Sequence, residues 1–183
     1  MKILAPNLYK IILTNKNMRT SSRNLYIIKG SERSLMIDTS WNVPECLSEM
    51  EQALNELSID CRDLDIFVTH NHVDHSGYVS FFTDRGARAF MNPVEIAASS
   101  DRYHRFYEDN DMRRSYTSEV GVTKERTPDA WQEIKAGADQ LARDNNVNFD
   151  FPFTPIAPGD RLSYGGYDFE VVSLAGHTSG QCG

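Results

Sequence analysis

The chain has 183 residues, of which 40% are hydrophobic, and a formal net charge of −7. This length suffices for one sizeable hydrophobic core, and the acidic balance, with a pI near 5.2, argues against a nucleic-acid-binding surface. No apolar run approaches the roughly 20 residues that a membrane-spanning helix needs. The composition therefore predicts a soluble globular protein without nucleic-acid or membrane partners.

The amino terminus and the cysteines predict a reducing compartment. Residues 1–7 lack the apolar segment of a signal peptide. Cys46, Cys61 and Cys182 are odd in number and have no CxxC spacing, which indicates free thiols. We therefore expect a cytoplasmic protein.

The first part of the chain is predicted to form three antiparallel strands. Each segment is rich in β-branched and other apolar residues and is bounded by polar turns. The strands are residues 7–14, 24–29 and 34–38, with turns at 15–23 and 30–33.

A helix is predicted after the third strand. Asn42 is a candidate N-cap, Pro44 suits the first turn, and Glu45 lies three residues after the cap. Apolar residues then recur at the 3.6-residue spacing as far as Leu57, so this helix is expected to bury one face.

A buried strand is predicted at residues 64–68, where branched and aromatic side chains form a short apolar run. A helix is expected to open at Ser76 and to end at Gly86. A further strand follows at residues 87–91, and helix-like sequence starts again at Pro93.

Residues 99–150 are charged and aromatic, and we interpret them as a helical insertion with a helix at 128–143. One interpretation is a surface elaboration or a dimer contact. The other is a lid whose aromatic side chains line a substrate pocket, since long insertions in compact domains are often functional. Strands at 161–164 and 167–174 follow, joined by a tight turn at Gly165–Gly166.

The most informative segment reads Thr-His-Asn-His-Val-Asp-His-Ser-Gly at residues 69–77. His70 and His72 lie two residues apart just after the predicted strand, so both can face one cation. Asp74 and His75 are adjacent and diverge from that geometry, but a second ion about 3.5–4 Å away would suit them. Imidazole and carboxylate ligands together suit zinc, iron or manganese.

A second cluster, Ala-Gly-His-Thr-Ser-Gly at residues 175–180, places His177 between glycines. A single histidine in a loop is usually solvated, but together with the first cluster we interpret His177 as a further metal ligand. His104 is interpreted as a surface or helix residue. Asp38 is interpreted as a structural residue that shapes a turn below the site.

These motifs resemble the metallo-β-lactamase superfamily, whose signature His-x-His-x-Asp-His follows a strand. The match stands at residues 70–75, and it extends to Asp38-Thr39 after a strand, to Gly159-Asp160 and to residues 176–180. The resemblance covers roughly residues 24–180. It implies an α/β fold, the αββα sandwich, with residues 1–183 as one domain portion that carries the helical insertion.

The resemblance also implies roles for the site residues. His70, His72 and His177 would bind a first metal ion, and Asp74 and His75 a second. A hydroxide bridging the two ions would be the nucleophile, since metal coordination lowers the pKa of water. Asp74 would also orient that hydroxide.

The family pattern needs a bridging carboxylate and a further histidine downstream of the third histidine. The chain ends at Gly183, six residues after His177. The expectation is therefore an amino-terminal portion of a sandwich that is truncated in its second half, inactive by itself and prone to form a homodimer through an uncovered sheet.

The function implied is metal-dependent hydrolysis of a small molecule, an ester, thioester, lactone, β-lactam or phosphodiester, with two zinc ions in the whole protein. Iron or manganese are the other candidate metals. One alternative is an iron redox enzyme of the same fold, of the flavodiiron or persulfide dioxygenase type. The other is a metal-binding domain without catalysis.

Overall fold

The structure, a computed structural model, describes residues 1–14, 22–100, 125–129 and 152–183. Every residue of the two predicted histidine clusters lies within these ranges, whereas His104 lies outside them.

The chain divides into two compact units, one of Met1–Ala97 and Val147–Gly183 and the other of Ala98–Asn146. The predicted insertion at 99–150, with its helix at 128–143, lies almost wholly outside the described residues and stays a prediction. The described strands all belong to the first unit.

Seven described strands form one mixed sheet in which each strand lies beside its neighbours in sequence. The pairs from β1 to β4 are antiparallel, and those from β4 to β7 are parallel. The strands are β1 (Lys2–Ala5), β2 (Leu8–Thr14), β3 (Ser22–Ile28), β4 (Ser34–Ile37), β5 (Leu64–Val68), β6 (Arg88–Met91) and β7 (Phe153–Pro155). The predicted strands at 7–14, 24–29, 34–38, 64–68 and 87–91 are thus confirmed, whereas β1 and β7 were not predicted.

Helices lie between the parallel strands. The α-helices of the described residues are α1 (Pro44–Glu56), α2 (Val73–Ser76), α3 (Val79–Thr83) and α4 (Pro93–Ser100). In α1 the buried residues recur at the predicted spacing, which confirms that this helix packs one face on the sheet. No helix in the described part of the chain is long and apolar enough to cross a bilayer.

The predicted N-cap of α1, Asn42, is wrong by one residue. Val43 is the N-cap, and it makes no side-chain capping bond. The Val43 N–H donates to the carbonyl of Trp41 at 2.8 Å, and this tight turn moves the boundary of the helix on by one residue. Pro44 opens the helix, as predicted.

The predicted helix from Ser76 to Gly86 is wrong in its bounds, because α2 ends at Ser76 and the apolar residues of that prediction lie in the separate helix α3. The carbonyl of His72 accepts the N–H groups of His75 and Ser76, both at 2.9 Å, so the helical turn α2 already begins at Val73. Asp74 and His75 therefore lie on a helical turn and not on an extended segment.

The large sheet has a hydrophobic core on each of its two faces. The larger core packs α1 against the sheet through residues such as Met50 and Leu54. The smaller core lies on the other face, where Phe67 and Ile156 contact a second sheet made of β8 (Arg161–Tyr164) and β9 (Tyr167–Glu170). Helices, large sheet and second sheet thus form successive layers, which confirms the α/β sandwich class.

The β8–β9 hairpin turns at Gly165 and Gly166, as predicted. Their φ angles of +61° and +89° belong to the left-handed region that favours glycine. The second strand is shorter than predicted and ends at Glu170, because the Val171 N–H turns back to the carbonyl of Asp160 at 2.9 Å.

Candidate metal centre

The first histidine cluster lies at the carboxyl end of β5, at the centre of the parallel part of the sheet. The chain leaves the buried strand at Thr69, runs through an extended His72 (φ −66°, ψ 146°), and enters α2. The Ser76 hydroxyl donates to the carbonyl of His72 at 2.9 Å, which closes the loop on itself. Ligands often bind at this edge of an open α/β sheet.

Three histidines converge above this edge. The ligand nitrogens of His70, His72 and His177 all lie within 4.8 Å of one another. Nε2 of His177 lies 3.0 Å from Nδ1 of His72. Two nitrogens that bind one tetrahedral zinc ion at about 2.0–2.1 Å lie about 3.4 Å apart, so the spacing suits a single ion. The structure thus brings together the three residues predicted for the first metal.

His70 is buried, with 2% of its surface exposed, and its Nε2 atom has no hydrogen-bond partner. Burial, reinforced by the neighbouring His75, His72 and His177, lowers the pKa of His70 to about 3. The ring is therefore neutral at physiological pH, which is the form that binds metals. A buried nitrogen without a hydrogen-bond partner destabilises the fold, and a bound cation would supply the missing partner. The residues present therefore fit a transition metal.

The tautomer of His70 follows from its neighbours. The Thr69 hydroxyl donates to Oδ2 of Asp38 at 2.9 Å, so its oxygen is left to accept from Nδ1 of His70 at 3.1 Å. The proton of His70 then lies on Nδ1, and the lone pair of Nε2 faces the cluster. Such carboxylate-anchored orientation is common for metal-binding histidines.

Asp38 is structural, as predicted, but its role extends to the site. Besides Thr69, its carboxylate contacts Nδ1 of His75 at 2.7 Å, while Nε2 of His75 lies near the carboxylate of Asp74. The Thr69 N–H donates to the other oxygen of Asp38 at 2.8 Å. Asp38 adopts a φ of +63°, a conformation that aspartate tolerates better than most residues.

The two residues predicted for the second metal lie side by side. Nε2 of His75 lies 3.6 Å from Oδ2 of Asp74, and the rings of His75 and His70 have centroids 4.1 Å apart. The three-histidine group within the described residues does not include either of them. Their assignment to a second ion therefore stays a prediction.

Arg23 is a site residue that no sequence pattern indicates. Its guanidinium contacts the Asp74 carboxylate, and it also lies 5.2 Å from the centre of the Trp41 ring. Arg23 belongs to a segment predicted as a turn, 51 residues before Asp74, so no local pattern connects the two.

Cys182 lies close to the cluster but outside the ligand group. Its N–H donates to the carbonyl of Thr69 at 3.0 Å, and its buried thiol accepts from Nδ2 of Asn92 at 3.2 Å. It forms an isolated antiparallel β-bridge with Ser173. Cys46, Cys61 and Cys182 are all free, as predicted.

No protein-family model and no curated protein match the sequence. The architecture, however, matches solved structures along almost the whole chain. A metallo-beta-lactamase family protein from Thermus thermophilus is 23% identical, with a TM-score of 0.68 over 98% of this chain. A beta-lactamase domain protein from Burkholderia ambifaria is 18% identical, with a TM-score of 0.70 over 98% of this chain. The chain has the metallo-β-lactamase fold.

A subclass B3 metallo-beta-lactamase of Bradyrhizobium japonicum is similar as well, at 17% identity and a TM-score of 0.55 over 99% of this chain. The chain spans 56%, 50% and 54% of these three proteins, about half of their length. Structural similarity at such low sequence identity shows that the fold is shared, but not the reaction. The chemistry has to be argued from the histidine cluster.

Proposed function

We propose that this chain supplies the three-histidine metal site of a metal-dependent hydrolase. The observation that carries the proposal is the unpartnered, buried Nε2 of the neutral His70, which faces His72 and His177. Structural roles for histidines do not require three rings to converge with a lone pair left over.

Different residues would bind the metal ion and orient its ligands. His70, His72 and His177 would hold the ion, while Asp38 and Thr69 keep the ring of His70 in the required tautomer. When bound, a transition metal would polarise a carbonyl or phosphoryl oxygen and lower the pKa of coordinated water.

Asp74 is the proposed catalytic residue. Its carboxylate would orient the attacking water and accept its proton, and with His75 it would bind a second ion. The substrate is proposed to be a small molecule with an ester, thioester, lactone, β-lactam or phosphodiester bond. Zinc is the proposed metal.

An iron redox enzyme is the second candidate, because imidazole and carboxylate donors without a thiolate suit iron as well as zinc. Metal identity separates the two: zinc favours hydrolysis, and iron favours redox chemistry. A protein that binds metal but turns over no substrate would match the non-catalytic alternative.

The test is elemental analysis after dialysis, followed by hydrolysis assays with the five substrate classes. Residues 1–183 are expected to hold about one ion. In the whole protein, His72→Ala should lose metal and activity together, whereas Asp74→Asn should keep the first ion but lower kcat by about 100-fold or more. Asp84 is exposed and is not one of the site residues, so Asp84→Asn is the matched control and should leave kcat unchanged. Near-normal turnover in Asp74→Asn would contradict the proposed role, and two ions held tightly by residues 1–183 would show that the ligands are misassigned.

A further inference from the structure

Glu95 is a buried carboxylate beside the metal centre. It lies in the first turn of α4, and only 1% of its surface is exposed. Its Oε2 accepts the N–H of Asn71 at 2.9 Å, and its Oε1 accepts the N–H of Gly180 at 2.8 Å. Both oxygens are thus bonded to the main chain.

The two N–H groups belong to the two loops that carry the converging histidines. Asn71 lies between His70 and His72, and Gly180 lies three residues after His177. These positions are 24 and 85 residues from Glu95 along the chain. One side chain therefore joins two loops that are distant in sequence.

The second loop packs directly on Glu95. A Cβ atom at Gly180 would lie 2.8 Å from Cβ of Val94 and 2.9 Å from Oε1 of Glu95, closer than real Cβ contacts. The absence of a side chain at position 180 is what lets the N–H reach the carboxylate. Gly180 is thus required by space at this contact.

Burying a carboxylate is costly, and charge-assisted hydrogen bonds offset that cost. An apolar side chain would fill the same space without the cost of burying a charge, but it could not accept hydrogen bonds from two separate main-chain segments. We infer that Glu95 is a positioning residue that sets the distance between His177 and the pair His70 and His72, and so the affinity for metal. This inference rests on the proposed metal site and deepens it.

The test is Glu95→Gln, which keeps the size of the side chain but replaces one acceptor by an NH₂ group. One of the two loops then loses its bond. With Co²⁺ as the probe in a chelator competition, the Kd should rise about 10- to 100-fold, the range typical for residues that orient metal ligands. The d–d absorption of bound Co²⁺ should change as the ligand geometry relaxes. Gly180→Ala should also raise the Kd for Co²⁺. This variant replaces Glu95→Gln in the test if Glu95→Gln fails to fold.

Asp65→Asn is the matched control, because Asp65 is also a fully buried carboxylate but lies at the opposite end of β5. This variant should unfold more easily while its Kd for Co²⁺ stays unchanged. If Glu95→Gln behaves in the same way, Glu95 only supports the fold and the inference is wrong.

A readout without metal separates this inference from the proposed function. In the metal-free protein, the amides of Asn71 and Gly180 should exchange faster in Glu95→Gln, and the nuclear Overhauser contacts between the rings of His72 and His177 should weaken. Wild-type protein that binds no Co²⁺ would overturn the proposed function, and the ring contacts would still decide the role of Glu95. Unchanged ring contacts in the variant would overturn the inference.

Discussion

Arg23 and Asp74 form an ion pair at the edge of the histidine cluster. The guanidinium supplies positive charge where the second metal ion is proposed to bind, since both would use the same carboxylate. A guanidinium and a divalent cation compete for such an acceptor, because their positive charges repel each other at short distance. Arg23 is thus expected to weaken binding at the second position.

Replacing Arg23 tests this competition. Arg23→Gln removes the charge, so the second equivalent of Zn²⁺ should bind several-fold more tightly while the first is little changed. Calorimetric titration of the wild type and the variant measures both steps. The double variant Arg23→Gln, Asp74→Asn is the control, and its second Zn²⁺ should not bind more tightly than in the wild type. An unchanged second step in Arg23→Gln would show that Arg23 does not compete for Asp74.

At the residue scale, the sequence predicts the converging histidines better than the residues that support them. Spacing and flanking glycines indicate His70, His72 and His177, because the proposed metal site requires particular residue types close together. Arg23 and Glu95 are missed, since each contacts the site from a separate element and carries no local pattern. Asp38 is predicted as a turn residue, but its bond to His75 depends on how β4 and β5 pair.

At the element scale, Asp65 joins the two sheets at the start of β5. Its buried carboxylate accepts from the side chains of Arg33 and Arg88, and from the hydroxyl of Tyr164 on β8 at 2.6 Å. Burial raises the pKa of Asp65, but the hydrogen bonds from Arg88, Arg33 and Tyr164 outweigh it and hold that pKa below 3.8. The carboxylate is therefore charged in the folded protein at neutral pH.

Asp65→Asn should lower the free energy of unfolding by about 2–3 kcal/mol at pH 7, because the partly buried Arg33 and the more exposed Arg88 lose their counter-charge. The carboxylate contributes its full stabilisation above its unfolded pKa of about 3.8 and loses it as the pH falls through the lower, folded pKa. The difference in the free energy of unfolding between wild type and variant should therefore become smaller below about pH 4. Urea unfolding at several pH values measures this difference. A difference that stays constant down to about pH 2 would contradict this charge argument.

The elements themselves were predictable where they are long or buried. The strands from β2 to β6 and the helix α1 have a periodic or continuous apolar pattern. The four-residue strand β1 is largely exposed, and α2 is a single turn, so neither has enough residues to establish a period. The start of α2 depends on hydrogen bonds to the carbonyl of His72, which side-chain spacing does not reveal.

At the scale of the whole molecule, β1 is a candidate surface for self-association. It is paired only with β2 among the described strands, and Ile3 is 70% exposed. Leu4 on the same strand and Ile12 on β2 are exposed apolar residues as well. An edge strand with apolar side chains is a template for pairing with another chain.

We therefore expect a homodimer at micromolar concentration, which light scattering would detect as twice the 20.8 kDa mass of the chain. Ile3→Lys should shift the equilibrium towards the monomer, because an exposed lysine blocks edge-to-edge pairing. Val172→Lys, at an exposed apolar position outside β1 and β2, is the control. A wild-type chain that stays monomeric at these concentrations would rule out this use of the edge.

Metal binding should also stabilise the whole molecule, because the proposed ion joins segments that are far apart in the chain. His72 and His177 are 105 residues apart, so an ion bound to both exists only in the folded state. Zn²⁺ at about 100 times its Kd stabilises the fold by about 2.7 kcal/mol. For a chain of this size the Tm should rise by roughly 5–10 °C, and a chelator should reverse the rise. His177 is exposed, so His177→Ala should leave the Tm of the metal-free protein nearly unchanged while it abolishes most of the rise. An equal rise in wild type and His177→Ala would mean that the ion binds without joining the two loops.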